Sequence, residues 1–241
     1  MYDELSKDEI KQRLGEYAAT LVPAGSTIGL GTGTTVYWLI KELGNRVRKG
    51  LSCQVVPTSE ATRKLAEDEG IRVVSLNDAG PIAVTIDGAD EASFGFQLIK
   101  GGGAALLQEK MVAAASEKMI VIIGEDKHVP KLGKFPLPVE VIPAGWKPLV
   151  RKILATGAKE VILREKNDEP VLTDHGHYLL DCHYDVIDDP AALNTSLHLL
   201  PGVVETGLFI DMADTLVIGY SNGDIMREEN IHSTGTGGIK S

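Results

Sequence analysis

Residues 26–36 read STIGLGTGTTV, a short apolar run that ends in a loop of glycines and threonines. The chain beyond the loop is amphipathic to about Lys49, so this stretch predicts a buried strand, a tight turn and a helix. The same alternation returns along residues 53–124, where apolar runs such as CQVVPT and MIVIIG are separated by amphipathic segments. Strands that are apolar throughout and alternate with helices indicate a parallel sheet covered on both faces. The sequence therefore predicts a Rossmann-like α/β domain with an open, mostly parallel sheet.

The pattern changes after Lys127, where four prolines fall between Pro130 and Pro143. Such a stretch is typical of a crossing between domains. The residues that follow predict a β-α-β-β-α-β order, the split βαβ pattern of a small ferredoxin-like α+β domain. We predict strands at 137–142, 160–164, 178–183 and 203–206, and helices at 147–156 and 191–199.

These patterns divide the chain into two domains. Residues 1–132 plus 207–241 are expected to form the Rossmann-like domain, and residues 133–206 the small one. The run GLFIDMADTLVIGY, residues 207–220, contains two apolar segments that could return to the first sheet. The tail NIHSTGTGGIKS, residues 230–241, is rich in Gly, Ser and Thr, and we expect it to be loosely ordered.

The composition is that of an ordinary globular protein, with 43% hydrophobic and 24% charged residues among 241. A formal net charge of −10 argues against a surface for nucleic acid or for an anionic membrane, since both select basic faces. The opening MYDELSKDEIKQ has no apolar signal-peptide core, and no apolar run approaches the ~20 residues that span a bilayer. Cys53 and Cys182 lie far apart, which favours a reducing cytoplasm over a disulfide scaffold.

The loop at residues 31–35 is the first candidate for a binding site. Its glycines do not have the GxGxxG spacing of a dinucleotide site. The backbone N–H groups of a strand-to-helix turn, with the hydroxyls of Thr32, Thr34 and Thr35, nevertheless point where an anion could bind. The alternative is a tight turn in which a threonine caps the helix. Taken alone, the loop favours neither interpretation.

Acids and glycines form a second candidate site. Asp87 ends an apolar strand, at the edge where open α/β sheets bind ligands, and Asp90 follows across a turn. Lys100 opens a run of three glycines that lets a ligand approach the backbone, and Glu109 lies about one and a half turns into the next helix. Each acid also has a purely structural interpretation: Asp87 and Asp90 as turn and capping residues, and Glu109 as an exposed helical acid.

A cluster of His175, His177, Cys182 and His183 lies within nine residues, a spacing that could suggest a metal site. Zinc sites usually have clearer paired ligand spacing, and DHGH, residues 174–177, is equally typical of a hairpin turn. We therefore expect a hairpin and no metal.

Five motifs in one order closely resemble the ribose-5-phosphate isomerases of the A type. They are GTGTT (31–35), DGADE (87–91), KGGGAAL (100–106), Glu109 and LGKFPLPVEVIP (132–143). The resemblance covers nearly the whole chain. It implies a Rossmann-like domain with an inserted ferredoxin-like domain, a sugar phosphate substrate, no metal or organic cofactor, and a homodimer or homotetramer. Two features depart from the family pattern: the histidine-rich hairpin, and a C-terminus from Asn222 onward that looks longer than in relatives.

The resemblance also assigns roles to individual residues. Glu109 would be the base that moves a proton between two carbons, with Asp87, Lys100 and Asp90 as further catalytic residues. The substrate-binding residues that it implies are Lys11, Thr32, Gly33, Thr34, Thr35, Asp87, Gly88, Ala89, Asp90, Lys100, Gly101, Gly102, Gly103 and Lys127.

Aldose–ketose isomerisation through an enediol explains these residue types. One base must remove a proton from C2 and return it to C1, and a carboxylate held partly out of water suits that task. Negative charge develops on the carbonyl oxygen, where Lys100 and glycine N–H groups could stabilise it. Asp87 could exchange the protons that open the furanose ring, and Asp90 could orient hydroxyls. The lysines would also reduce the mutual repulsion of the acids in DGADE.

Two other functions stay open on the sequence alone. Acyl-CoA transferases share this fold, and in them a glutamate acts as a nucleophile and forms a thioester. The third function is a non-catalytic sensor of sugar phosphates, although no helix-turn-helix or basic module accompanies the chain.

Overall fold

The computed structural model describes residues 4–231. Its helices are α1 (Lys7–Thr20), α2 (Thr34–Arg48), α3 (Glu60–Asp68), α4 (Leu106–Ala114), α5 (Trp146–Leu154) and α6 (Pro190–His198). The first eight strands are β1 (Ser26–Leu30), β2 (Cys53–Pro57), β3 (Arg72–Val73), β4 (Val84–Gly88), β5 (Glu91–Ser93), β6 (Leu98–Ile99), β7 (Met119–Gly124) and β8 (His128–Val129). The others are β9 (Leu137–Val141), β10 (Glu160–Leu163), β11 (Glu165–Lys166), β12 (Glu169–Pro170), β13 (Tyr178–His183), β14 (Val203–Thr206), β15 (Leu208–Phe209), β16 (Thr215–Gly219) and β17 (Ile225–Glu229).

Contacts between residues divide the chain into two compact units. The first unit runs to Ala89 and also contains Gln108–His128 and the chain from Asp211 onward. The second unit comprises Asp90–Leu107 and Val129–Ile210. The division expected from the sequence leaves residues 90–107, 129–132 and 207–210 in the first domain, whereas the contacts group them with the second unit.

The first unit is built on a seven-stranded sheet with the order β17-β16-β7-β4-β1-β2-β3. Only β17 is antiparallel to its neighbour, and the other pairs are parallel. Numbered along the chain, the six parallel strands have the order 3-2-1-4-5-6 of a Rossmann-like sheet, as predicted. The order reverses between β1 and β4, and ligands of open α/β sheets bind beyond the carboxyl ends of the strands at this switch point.

Helices α1 and α2 support the loop that leaves β1. A reciprocal capping box starts α1, since the Ser6 hydroxyl accepts the Glu9 N–H and the Glu9 carboxylate accepts the Ser6 N–H. The helices pack closely at Gly15, where an added Cβ would lie 2.5 Å from the backbone nitrogen of Leu39. Their buried side chains share one hydrophobic core with β1, β4 and β7. Helix α2 begins at Thr34, so the last two residues of the glycine-threonine loop form the start of this packed helix.

The second unit contains the ferredoxin-like domain that the sequence predicts. Strands β10-β13-β9-β14 form an antiparallel sheet, and α5 and α6 fall in the chain order β-α-β-β-α-β. Val139, Leu180 and Ile153 are fully buried in the core of this unit. The Rossmann-like fold class with a smaller ferredoxin-like domain is therefore confirmed.

A second sheet, with the order β15-β6-β5-β8, corrects one expectation. Of the two apolar segments in residues 207–220, only the second returns to the seven-stranded sheet, as β16. The first segment forms β15 and pairs with β6 because Gly207 is held between two backbone bonds. Its N–H donates to the Pro138 carbonyl at 2.7 Å, and its carbonyl accepts the N–H of Lys100 at 2.9 Å.

Two further expectations concern the C-terminal tail and segments that could cross a membrane. Of the tail predicted at residues 230–241, residues 232–241 lie outside the described part. Within residues 4–231, no helix has both the length and the apolar character that a membrane crossing requires.

Candidate active site

The switch point of the first unit is occupied by the Asp87 carboxylate. Asp87 is the penultimate residue of β4 and is fully buried. Its Oδ1 accepts the Thr32 N–H at 3.0 Å and the Gly88 N–H at 2.7 Å. A Cβ added at Gly31 would lie 2.0 Å from that oxygen, so only glycine lets the end of β1 come so close. The two predicted sites, GTGTT and DGADE, are thus joined by a hydrogen bond at the edge where the sheet order reverses.

The hydroxyl of Thr32 contacts the chain at the start of α3. It bonds to Thr58 and Ser59 at 2.8 Å and to Thr62 at 3.1 Å. Ser59 in turn caps α3 by accepting the Thr62 N–H. The side chain of Thr32 therefore anchors the loop to α3, and its backbone N–H holds Asp87.

Helix α2 begins without a side-chain cap among the described residues. The N-cap residue is Gly33, with φ at +125°, so the alternative of a threonine cap is wrong. A φ of this sign favours glycine, because a side chain would clash with the backbone. The N–H groups of the first helical turn are partial positive charges that attract anions. Thr34 and Thr35 are the first two residues of that turn.

A cavity of about 450 Å³ in the first unit lies beside this turn. Its lining includes Thr34 and Thr35 with three lysines, namely Lys7, Lys11 and Lys127. Lys127 donates to the Ala89 carbonyl at 2.7 Å, and Lys11 to Asp8 at 2.9 Å. Hydroxyls, cationic side chains and a helix N-terminus are the groups that bind phosphate in proteins.

Lys7 lines this cavity although the sequence did not single it out. Its ammonium pairs with Asp126 at 2.5 Å, and that hydrogen bond raises the pKa of Lys7. The available signal was its spacing, because Lys7 lies four residues before Lys11 on α1 and shares its helix face.

The second unit carries the other acids of DGADE. Asp90 accepts the Gly102 N–H at 2.7 Å. Glu91 is buried and accepts the N–H groups of Gly133 at 2.8 Å and Phe135 at 2.7 Å. Together with Asp87, all three carboxylates of the motif thus accept backbone N–H groups. Such charge-assisted bonds offset the mutual repulsion of the acids, and they make Glu91 the anchor of the loop before β9.

Lys100 and the glycines that follow also belong to the second unit. Only 2% of Lys100 is exposed, and its ammonium lies 5.4 Å from the centre of the Phe209 ring. Gly101 has φ at +103°, and a Cβ there would lie 2.8 Å from Leu106. The run turns sharply, since the Ala104 N–H bonds back to the Gly101 carbonyl at 3.0 Å. A buried ammonium beside a tight glycine turn is suited to stabilising an anion.

Glu109 lies in the first turn of α4, and it is the second residue of the Gln108–His128 segment of the first unit. Only 4% of it is exposed. The interpretation of Glu109 as an exposed helical acid is therefore wrong. A carboxylate is rarely buried unless it has a specific task or partner.

The histidine-rich segment forms the predicted hairpin. The Thr173 N–H bonds to the His177 carbonyl at 2.9 Å, and His177 Nδ1 lies 2.9 Å from the buried Glu140. Within the described residues, no three His, Cys, Asp or Glu side chains are grouped to hold a metal ion. Cys182 is buried in the core of the second unit, and burial raises the pKa of its thiol.

Comparison with known families matches residues 54–223 to the family described as ribose 5-phosphate isomerase A, or phosphoriboisomerase A. The chain belongs to the ribose 5-phosphate isomerase A family. A ribose-5-phosphate isomerase A of Bacillus cereus is 54% identical over 215 residues, 89% of this chain and 97% of the relative. One from Bifidobacterium adolescentis is 48% identical over 222 residues, 92% of this chain and 96% of the relative. Membership places the chain among the aldose–ketose isomerases.

Solved structures agree with the assignment. Ribose 5-phosphate isomerase A of Methanocaldococcus jannaschii superposes with a TM-score of 0.87 at 37% identity, over 93% of this chain and all of that one. A D-ribose-5-phosphate isomerase in complex with phospho-erythronic acid gives a TM-score of 0.90 at 36% identity, with 93% and 100% covered.

The residues that the ribose 5-phosphate isomerase A pattern assigns to the site fall in both units. The first unit brings together two groups of them: Thr32, Asp87 and Gly88 around one carboxylate, and Lys11, Thr34, Thr35 and Lys127 around the cavity. Gly33, Ala89 and Glu109 belong to the same unit. The second unit holds Asp90, Lys100, Gly101, Gly102 and Gly103.

Proposed function

We propose that this chain interconverts ribose 5-phosphate and ribulose 5-phosphate through an enediol, with Glu109 as the base that carries the proton between C2 and C1. The observation that carries the proposal is the burial of Glu109, of which 4% is exposed, in the first turn after the glycine run. A carboxylate shielded from water is a stronger base, which suits it to remove the proton from C2 and return one to C1. This reaction belongs to the non-oxidative pentose phosphate pathway.

The phosphate of the substrate is assigned to the cavity of the first unit. Thr34, Thr35 and the first N–H groups of α2 supply hydrogen-bond donors, and Lys11 and Lys127 supply positive charge. Phosphate bound at the N-terminus of α2 therefore needs no cation other than these two lysines.

Three further residues take the other chemical tasks. Asp87 assists the proton exchange that opens the furanose ring, and Asp90 orients the sugar hydroxyls. Lys100 stabilises the oxyanion of the enediolate, because a buried ammonium acts most strongly where water is excluded. The residues next to these three, Gly88, Ala89 and Gly101–103, contribute backbone groups to substrate binding.

The proposed route uses proton transfers and fixed charges, so it needs neither a metal nor an organic cofactor. The proposal further includes a homodimer or homotetramer that works in the cytoplasm, as the family resemblance and the two free cysteines suggest.

The variant Glu109→Gln tests the role of the base. It keeps the shape of the side chain but removes the oxygen that accepts the proton, so kcat should fall by ~10²–10⁴-fold. Binding of phospho-erythronic acid, the ligand in the structure of a relative, should stay within about tenfold, because an amide still forms hydrogen bonds. In deuterated water the wild-type protein should wash deuterium into the substrate, and the variant should not.

Glu16→Gln is the matched control, since Glu16 is an exposed glutamate of α1. Its turnover should equal that of the wild-type protein. If Glu109→Gln kept near-full turnover, the base would be another group and Asp87 the next candidate. If the variant lost ligand binding and thermal stability together, Glu109 would have a structural role instead.

A further inference from the structure

Arg164, which follows β10, contacts the glycine run of the second unit. Its Nη1 donates to the carbonyls of Gly101 at 2.8 Å and Gly102 at 3.2 Å. Neither the sequence motifs nor the proposed mechanism uses this arginine. It is nonetheless the side chain that holds two successive peptide groups of the run.

Arg164 is itself held in one orientation. Its Nε and Nη2 form a two-point pair with the carboxylate of Asp181, at 2.9 and 2.5 Å. Both side chains are mostly buried, with 16% of Arg164 and 22% of Asp181 exposed. Asp181 lies on β13, which pairs with β10, and the Arg164 N–H extends that pairing to Leu179. The guanidinium therefore rests on two paired strands, and a planar fork of this kind fixes direction as well as distance.

The direction of the carbonyls decides the direction of the amides. In a trans peptide the C=O and the N–H point to opposite sides. When Arg164 draws the carbonyls of Gly101 and Gly102 towards itself, the N–H groups of Gly102 and Gly103 must point away from it. The Gly102 N–H is indeed found on Asp90, at 2.7 Å. The same geometry leaves the Gly103 N–H directed away from the guanidinium.

We propose that Arg164, held by Asp181, is a positioning residue for the isomerase reaction: it orients the glycine run so that Asp90 and the Gly103 N–H stand ready for the substrate. This inference rests on the proposed function, in which the run and Asp90 contact the sugar. Without the arginine, Gly101–103 would be free to adopt the many conformations that glycine allows, and the aligned donor would be lost.

Arg164→Lys is the decisive variant, because it keeps the charge but lacks the planar fork that pairs with both oxygens of Asp181 while Nη1 reaches the two carbonyls. A misplaced oxyanion donor costs on the order of 10²-fold in rate, so we expect kcat to fall at least tenfold. The KM for ribose 5-phosphate should change less than about threefold, since Lys11 and Lys127 are untouched. Asp181→Asn should reproduce the effect in part. Lys159→Met, which removes an exposed ion pair of the same unit, should leave kcat unchanged.

Chemical rescue separates positioning from general support of the fold. Low, non-denaturing guanidinium should restore part of the kcat lost in Arg164→Ala and none of that lost in Glu109→Gln, and it should leave the kcat of Lys159→Met unchanged. If Arg164→Ala does not fold, Arg164→Lys and Asp181→Asn give the answer. The inference is overturned if these two variants keep kcat within about threefold while only their melting temperatures fall. Wild-type protein that fails to turn over ribose 5-phosphate would instead overturn the proposed function.

Discussion

Lys127 has two possible tasks, and a single substitution separates them. Its ammonium lines the cavity of the first unit, and it also donates to the carbonyl of Ala89, inside the DGADE motif. A lysine that binds the phosphate contributes only when the substrate carries one. A lysine that merely holds the loop affects every substrate equally.

We expect Lys127→Ala to lower kcat/KM for ribose 5-phosphate by roughly 10–100-fold, the value of one charge-assisted hydrogen bond. Free ribose, already a poor substrate, should lose little further activity, because phosphate binding energy is absent in both proteins. The measurement is kcat/KM for both sugars. Lys131→Ala serves as the control, since Lys131 is exposed and pairs with Asp188. Equal losses for both sugars would show that Lys127 supports only the loop.

Among the elements, length decides what the sequence could predict. The strands β1, β2, β7 and β13 have five or six residues, so their apolar character stands out, and all four were predicted. The strands β5, β6, β8 and β15 have two or three residues, too few to show any period. They are held by long-range backbone bonds such as that of Gly207 to Pro138, which no local pattern encodes.

The candidate site divides in the same way. Residue types at a strand end and near the start of a helix indicated Asp87 and Glu109, because those positions follow from local structure. The partners of these residues depend on the tertiary fold. Contacts between distant segments give three residues their places: Glu91 anchors a loop, Lys7 lines the cavity, and Arg164 bonds to the glycine run. The sequence contains these residues without indicating what they contact.

The packing of α2 against α3 depends on one nearly buried acid, Glu69. It follows α3, and its carboxylate bonds to Lys41 and Arg48 of α2. The pKa of Glu69 lies below its ordinary value, mainly because of the hydrogen bond from Lys41 and then because of the one from Arg48. A lowered pKa in the folded state means that the ionised carboxylate stabilises the fold above the pKa of the unfolded chain.

Glu69→Gln should therefore reduce the free energy of unfolding at pH 7 by roughly 1 kcal/mol. The difference from the wild-type protein should vanish as the pH falls through the lowered pKa, because the wild-type carboxylate then becomes neutral too. Urea unfolding between pH 7 and ~3 measures both values. Glu67→Gln, which alters an exposed pair with Arg63, should have a much smaller effect at every pH. A difference that stayed constant with pH would mean that Glu69 acts through packing alone.

At the scale of the whole molecule, the second unit enters the chain of the first at two points. The first insertion begins just after β4 and the second just after β7, so both follow the carboxyl end of a parallel strand. Ligand sites of open α/β sheets lie at that edge, and connections there can be extended without disturbing the sheet. The fold thus keeps a Rossmann-like core, and the inserted segments contain Asp90, Lys100 and the glycine run.

In the proposed mechanism, side chains and backbone alone supply the charges that the isomerisation needs. We propose that the ammonium of Lys100 and the N–H groups of the glycine run are the electrostatic partners of the oxyanion, a task that a metal ion can also perform. Among the described residues, no three potential ligands are grouped around one point, and the Nδ1 of His177 already contacts the Glu140 carboxylate.

We therefore expect turnover of ribose 5-phosphate to be unchanged after dialysis against excess EDTA, and unchanged again when Mg²⁺, Mn²⁺ or Zn²⁺ is added. Activity lost to the chelator and restored by one of these ions would contradict this expectation. His175→Ala and His177→Ala would then show whether the hairpin holds the ion, because its ligands, unlike Asp87 and Glu109, can be removed without touching the proposed chemistry.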